Sequence, residues 1–328
     1  MNDGQKKLRN SKDFKIEFTL KIFSGGKMSK IVIFGSINVD LVSFTKEFPK
    51  PGETVNGTGF EIHQGGKGAN QSVAVAKLGS GVEMIGAVGT DFFGDFLIKS
   101  LKNAGVGTEM IKKIDGTSGV ANIWVNEFGE NSIILDGGAN GKIDESILEN
   151  SKNMIKNAMF LMLQFEIPFG VVEKAAKIAH DNGVKVILDP APARKIPDSF
   201  LSCVDYITPN EIEISQIADG KTLEEKIKNL ELRGPRVIVK SGVKGVYIVE
   251  NDKLLNLKSF KVESIDTTGA GDCFNGALAV SLSENMDMKN ACTFAMAASA
   301  ISVTRKGAGD SFPIRDEVQN FLRKNYAS

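Results

Sequence analysis

From residue 31 onward, short runs of β-branched residues alternate with amphipathic or alanine-rich stretches of helical period. That alternation predicts an α/β fold with a mostly parallel central sheet flanked by helices. Strands are expected over 31–34, 82–85, 159–163, 185–188, 206–208 and 236–239, and helices over 70–78, 93–104, 169–182, 211–218, 270–283 and 290–303. Two regions break the rhythm. Residues 54–63 and 118–135 read as antiparallel strands joined by Gly- and Asn-containing turns, with no helical stretch to cover them. They predict a small sheet outside the main core, a β-sheet lid drawn from about 38–64 and 118–135. In the second region Ile123 and Val125 should point to one face and Trp124 to the other, so both faces are apolar. One face can close on a ligand; the other invites a second copy of the chain, a homodimer through the lid.

Residues 1–27 have a basic bias and no apolar run long enough for a signal or a membrane span, so a disordered N-terminal extension is expected there. Met28 is a candidate natural start, and 28–328 is read as one domain. The chain has 328 residues, enough for one large α/β domain, and 40 basic residues balance 40 acidic ones. No global field draws it to nucleic acid or to an anionic membrane, and a cytoplasmic location is expected. Three cysteines without C-x-x-C spacing and two histidines supply neither a disulfide framework nor a histidine-rich metal centre.

The 34 glycines are clustered, and the clusters carry the candidate chemistry. In Asp266-Thr267-Thr268-Gly269-Ala270-Gly271-Asp272-Cys273-Phe274-Asn275-Gly276, small residues open a helix whose N-terminal N–H groups and dipole suit an anion such as phosphate. Asp272 is then either a general base acting beside a phosphate or an ordinary N-cap. Gln64-Gly65-Gly66-Lys67-Gly68-Ala69-Asn70-Gln71 also precedes a helix; it is not a Walker A loop, since glycine follows the lysine. Bare backbone near Lys67 and Asn70 would let a polyhydroxylated ligand approach, or it is a plain turn into a helix. Asn38 and Asp40, beyond the carboxyl edge of the first strand, stand where open α/β sheets bind ligands, or they form a turn.

These runs, with Pro51-Gly52-Glu53-Thr54, Asp189-Pro190-Ala191-Pro192-Ala193-Arg194, Thr208-Pro209-Asn210-Glu211 and Val303-Thr304-Arg305-Lys306-Gly307-Ala308, occur in the order found in one family. From about residue 30 to 323 the chain resembles the ribokinase-like (PfkB) carbohydrate kinase family. The resemblance implies transfer of the ATP γ-phosphoryl group to the 5-hydroxyl of D-ribose. It implies Asp272 as catalytic base and the backbone of Gly269, Ala270 and Gly271 as the anion hole. Sugar contacts would fall on Asn38, Asp40, Gly66, Lys67, Gly68, Ala69, Asn70, Glu166 and Asp272. Nucleotide contacts would fall on Asn210, Lys240, Ser241, Gly242, Val243, Lys244, Gly245, Gly271, Asp272 and Met296, although the family places a different residue at the position of Met296. Mg2+ would arrive with ATP, with Glu213 acting on it indirectly. K+ would lie near Asp266, Thr268, Ser302, Arg305, Gly307 and Ser311, in a loop where Gly309-Asp310 departs from the family's usual spelling. A related sugar or nucleoside kinase, such as a fructokinase or deoxyribokinase, is the alternative within the family; a non-catalytic sugar or nucleotide sensor is the alternative outside it, and it would have no use for Asp272.

Overall fold

The computed structural model describes residues 31–326, so the 1–27 extension and Met28 lie outside the described residues. In chain order the strands are β1 (Ile31–Phe34), β2 (Asn38–Phe44), β3 (Gly59–Gly65), β4 (Val82–Gly89), β5 (Gly107–Ile114), β6 (Gly119–Val125), β7 (Asn131–Asp136), β8 (Phe160–Leu163), β9 (Lys185–Leu188), β10 (Tyr206–Ile207), β11 (Arg236–Val237), β12 (Val239–Lys240), β13 (Val246–Glu250) and β14 (Lys253–Leu257). The α-helices are α1 (Lys67–Lys77), α2 (Phe92–Asn103), α3 (Glu145–Lys156), α4 (Phe169–Asp181), α5 (Asp198–Leu201), α6 (Glu211–Ile217), α7 (Leu223–Glu231), α8 (Ala270–Ser283), α9 (Met288–Ser302) and α10 (Arg315–Tyr326).

Seven strands in the order β11-β10-β9-β8-β1-β4-β5, all parallel, form the central sheet. Its inner strands are buried on both faces, and β1 displays the consequence. Ile31 and Ile33 join a core with α1, α8 and α9, while Val32 and Phe34 join a second core with α3, α4 and α7 on the opposite face. Each strand ends at one edge of the sheet, and the segments leaving that edge build everything described below.

The lid is a four-stranded sheet in the order β3-β2-β6-β7. The expectation of antiparallel strands needs one correction, because the central pair β2 and β6 runs parallel. Both strands leave the same edge of the central sheet, after β1 and after β5, and so travel outward side by side. The strand expected over 54–63 begins later, at Gly59. The single strand expected over 236–239 divides at Ile238: β11 stays in the central sheet, and β12 starts an antiparallel sheet with β13 and β14. Register places Ile123 and Ile133 on the lid face that carries Asp40, and Trp124 and Ile134 on the other. Both faces carry exposed apolar side chains, with Ile133 and Leu135 on the first face and Phe60, Ile62 and Ile134 on the second.

Candidate active site

Helix α8 is entered through its N-cap Gly269, whose φ of +70° is left-handed; a Cβ there would lie 3.0 Å from both Ala308 and Phe312. That turn points the first N–H groups of α8 out of the helix, where they have no intrahelical acceptor. Ala270 N–H bonds the Thr267 carbonyl, and Gly271 and Asp272 follow in the same turn. The N-cap is Gly269 and carries no side-chain cap, so Asp272 is not the helix cap that was the alternative reading. Its carboxylate, 6% exposed, turns instead to α1: Oδ2 accepts from Asn70 Nδ2 at 3.2 Å, and Oδ1 from Gln71 Nε2 at 3.0 Å.

The second glycine cluster makes this meeting possible. Gly66 takes φ +88° where a Cβ would press on the backbone of Ile37 and Asn38, and a Cβ on Gly68 would come within 2.8 Å of the Gly35 and Ser36 backbone. Helix α1 therefore packs directly onto the turn after β1. Gly68 and Ala69 are buried in that packing, and Ala69 N–H bonds the Ser36 carbonyl. A Cβ on Gly65 would fall 2.2 Å from the Asp40 carboxylate, so the bare glycine leaves room for Asp40 on the lid. Asn38 and Asp40 lie on strand β2, not in a turn. Asn38 Oδ1 accepts from Asn140 Nδ2 at 2.7 Å, while Glu166 Oε2 accepts from Ser36 Oγ at 2.5 Å and from Lys67 N at 3.2 Å.

Asp40, Glu166 and Asp272 thus crowd one end of the site with Lys67 among them. Burial, then repulsion from Glu166 and Asp272 against the pull of His63, raises the Asp40 pKa to about 7. Burial also raises Asp272 to about 6, with Asp189 adding to the rise and Lys67, Gln71 and Asn70 opposing it. Burial works against the Lys67 ammonium, yet Asp272, Asp189, Glu166 and Glu213 outweigh it and hold its pKa above the usual value. Cys273, beside the base, is driven by burial to about 12 and is a packed, unreactive thiol.

A cavity of about 830 Å3 runs from Lys67 and Asp189 past Gly271 toward the β12-β13-β14 sheet. It gathers Asn210, Glu213, Lys240, Ser241, Gly242, Val243, Lys244, Gly245 and Met296 on its wall. Asn210 and Glu213 have a local task as well, a capping box in which Asn210 Oδ1 accepts from Glu213 N–H and Glu213 Oε2 accepts from Asn210 N–H. Lys240 Nζ bonds Asp189 Oδ1 at 3.1 Å.

Beyond the turn before α8, Asp266 gathers the 303–311 loop: Oδ1 accepts from Thr268 N and Oγ1, and Oδ2 from Gly307 N. These hydrogen bonds, after working against burial, hold the Asp266 pKa below the usual carboxylate value. Ser302 and Ser311 are buried nearby, whereas the Arg305 guanidinium turns away to Glu317. Lys77 Nζ holds the carbonyls of Asp310 and Phe312, and His63 Nδ1 lies 3.6 Å from Asp310, so the loop touches both α1 and the lid. Among the described residues no group of three or more His, Cys, Asp or Glu side chains could hold a metal ion. Ser36, Gln71, Asn140, Gln164 and Asp189 complete the polar site without having been singled out from the sequence for a role. Gln71 and Asp189 sit inside motifs already marked; Asn140 follows the lid in a third glycine cluster, Gly137-Gly138-Ala139-Asn140-Gly141, which was the signal that could have found it.

Residues 28–315 match the family model described as pfkB family carbohydrate kinase. The chain is 40% identical over 299 residues to a ribokinase of Haemophilus influenzae, covering 89% of this chain and 98% of that one. It is 35% identical over 304 residues to a deoxyribokinase of Salmonella typhimurium, covering 90% and 99%. The solved structure of Arabidopsis thaliana ribokinase complexed with ribose and ATP matches with a TM-score of 0.84 at 32% identity, covering 90% of this chain and 99% of that one.

Proposed function

Because this chain belongs to the pfkB family of carbohydrate kinases, we propose that it is a kinase that moves the γ-phosphoryl group of ATP to the 5-hydroxyl of D-ribose, giving ribose 5-phosphate. The observation that carries the reading is Asp272, a buried carboxylate held by two amides in the first turn of α8, next to Gly271 on the wall of a large cavity. Its raised pKa lets it take the proton of the attacking hydroxyl. The backbone of the Gly269-Ala270-Gly271 turn then faces the charge on the moving phosphoryl group through the N–H groups other than that of Ala270, which bonds the Thr267 carbonyl. Lys240 and Lys244 supply positive charge to the phosphates, and Asn38, Asp40, Lys67, Asn70 and Glu166 bind the sugar hydroxyls. Magnesium travels with the nucleotide and neutralises phosphate charge; Glu213 and Asp189, both on the cavity wall, are the carboxylates suited to steady it through water.

Potassium fits the 266–268 and 303–311 segments, where oxygen donors predominate and Arg305 can offer only its carbonyl. Activation by potassium chloride over sodium chloride at equal ionic strength tests this; equal rates would remove it. The exposed apolar faces of the lid fit a second copy of the chain. Ile133 and Ile134 point to opposite faces, so in light scattering only one of Ile133→Glu and Ile134→Glu should yield monomers. A monomeric wild-type protein at assay concentration would defeat the dimer.

The substrate itself is tested by a coupled ADP-release assay across D-ribose, 2-deoxyribose, fructose and adenosine. Ribose should give the highest kcat/KM, because Asp40 and Asn70 suit a furanose with both ring hydroxyls and would be left unpaired by the deoxy sugar. Faster turnover of deoxyribose would favour the deoxyribokinase reading, to which the 35% identity gives weight.

A further inference from the structure

Gln71 sits one residue after Asn70 in α1 and is fully buried. Its Nε2 donates to Asp272 Oδ1 at 3.0 Å and to Asp189 Oδ2 at 3.2 Å, and its Oε1 accepts from Gln164 Nε2 at 2.7 Å. That orientation of the amide is the consistent one, since the reverse would set an oxygen against two carboxylates and one NH2 group against another. Gln164 is likewise fully buried, its Oε1 has no hydrogen-bond partner, and a Cβ on Gly35 would lie 1.9 Å from it. A buried amide oxygen without a partner is a cost to the fold, and the contact Gln164 makes in return is with Gln71.

Successive residues of a helix point about 100° apart, so Asn70 and Gln71 reach the Asp272 carboxylate from two sides. Asn70 takes Oδ2 and is itself bonded to Gln64 of the lid strand, which puts Oδ2 on the sugar side. Gln71 takes Oδ1 on the interior side. From there the chain of contacts continues through Asp189 to Lys240, whose Nζ would be 3.6 Å from a Cβ on Gly271 in the phosphate-facing turn.

We infer that Gln71 is a positioning residue for the transfer: its amide clamps Oδ1 of Asp272, leaves Oδ2 to receive the proton of the acceptor hydroxyl, and ties the base to the Asp189–Lys240 pair on the nucleotide side. The inference rests on the reading of Asp272 as the base. A fixed carboxylate needs no reorientation at the moment of transfer, and an N–H donor on it favours its charged form. The charged and titratable groups that also face Asp272 are Lys67 from α1, Asp189 beyond β9, Asp40 from β2 and its neighbour Cys273 in α8. Of these Lys67 favours the carboxylate, while Asp189 and Asp40 oppose it, so loss of the Gln71 donor should raise the proton affinity of the base.

The test uses Gln71→Met, which keeps length and shape without the amide, and Gln164→Met, which touches neither carboxylate. Gln71→Met should lose at least about tenfold in kcat, in keeping with a misplaced reacting group. Its KM values for sugar and ATP should stay within about threefold of wild type, and the acid limb of its kcat/KM profile should move to higher pH. Gln164→Met should produce the same changes to a smaller degree. The double variant should be no worse than Gln71→Met, because Gln164 acts only through Gln71. A folded Gln71→Met with wild-type kcat and an unmoved acid limb overturns the inference, and so do additive losses in the double variant. Where thermal melting finds Gln71→Met unfolded, Gln164→Met decides alone, and an unmoved acid limb there is the overturning result. All assays use whichever of ribose, deoxyribose or fructose the wild type phosphorylates fastest, so a wrong sugar would change the reagent while the role of Gln71 is tested all the same.

Discussion

The acceptor side of the site closes on Asp272 with side chains drawn from positions 36, 38, 40, 67, 70, 71, 140, 164 and 166, many of them buried and already bonded to one another. The nucleotide side is an open cavity walled by backbone turns and by apolar groups such as Phe260, Met296 and Val303. Charge divides the same way. Three carboxylates, Asp40, Glu166 and Asp272, crowd the acceptor end, whereas in the cavity Lys240, Lys244, Lys258 and Lys261 outnumber the two carboxylates Asp189 and Glu213. The acceptor end is therefore matched to hydroxyl groups, which a carboxylate can orient and deprotonate, and the cavity to a polyanion. Discrimination should follow burial. A rigid polar network rejects a ligand that leaves one of its members unpaired, and an open wall adapts to what it meets.

The largest effect expected from this contrast is at its centre. Asp272→Asn should lower kcat by at least about two orders of magnitude with ATP and sugar binding retained, as befits removal of a general base. Binding by calorimetry together with turnover checks it, and near-normal turnover would sink the role of Asp272. The wild-type enzyme should in turn lose activity as pH falls through about 6, where its own carboxylate becomes protonated.

A smaller change, still on the acceptor side, is Asp40→Asn. Loss of a charged hydrogen-bond acceptor should raise the sugar KM by about tenfold or more and leave the ATP KM near wild type. The same variant has a sign to check in stability. The folded-state pKa of Asp40 is raised from 3.8 to about 7, so the native state binds the proton more tightly than the unfolded chain does. Stability held below the lower value is lost as pH rises through the upper one. Without sugar, Asp40→Asn should therefore melt higher than wild type at pH 8, and the gap should shrink toward pH 4. A gap that is flat with pH would mean the carboxylate is not strained by its neighbours.

How much of this contrast was legible in the sequence follows from where the residues lie. Most of the central sheet was readable because strands such as β1 and β9 carry short, nearly continuous apolar runs, and their predicted bounds coincide with the observed ones; the edge strand β5 was not expected, since Glu109, Lys112 and Lys113 break its apolar run. Asp272, Lys67 and Asn70 were readable because glycine clusters mark places where backbones approach. The parallel β2–β6 pairing was not, since each strand's alternation is the same whichever way its neighbour runs. The β12-β13-β14 sheet, including a junction of one residue at Ile238, carries too short a signal to separate from β11. Gln71 and Gln164 were missed as partners because amides 93 positions apart leave no local period. Candidate roles on the nucleotide side, such as that of Val243, came through resemblance, and the open wall gives them little physical signature of their own.

The smallest expected effect belongs to that wall. Val243 occupies the tight turn Gly242–Lys244 and is 95% exposed, so its side chain has almost no packing to lose. Substitutions at such positions change free energies by about half a kcal/mol or less. Val243→Ala should then leave the ATP KM within about threefold of wild type, with the sugar KM and the melting temperature unmoved. The measurement is worth making because the contrast between the two sides depends on the turn staying open when the nucleotide is bound. An ATP KM raised tenfold or more, at unchanged stability, would mean that the turn folds down and buries Val243 against the nucleotide. In that event the nucleotide side would be closed by its ligand, and the two halves would differ in when they become buried, before binding for the acceptor and during binding for the nucleotide.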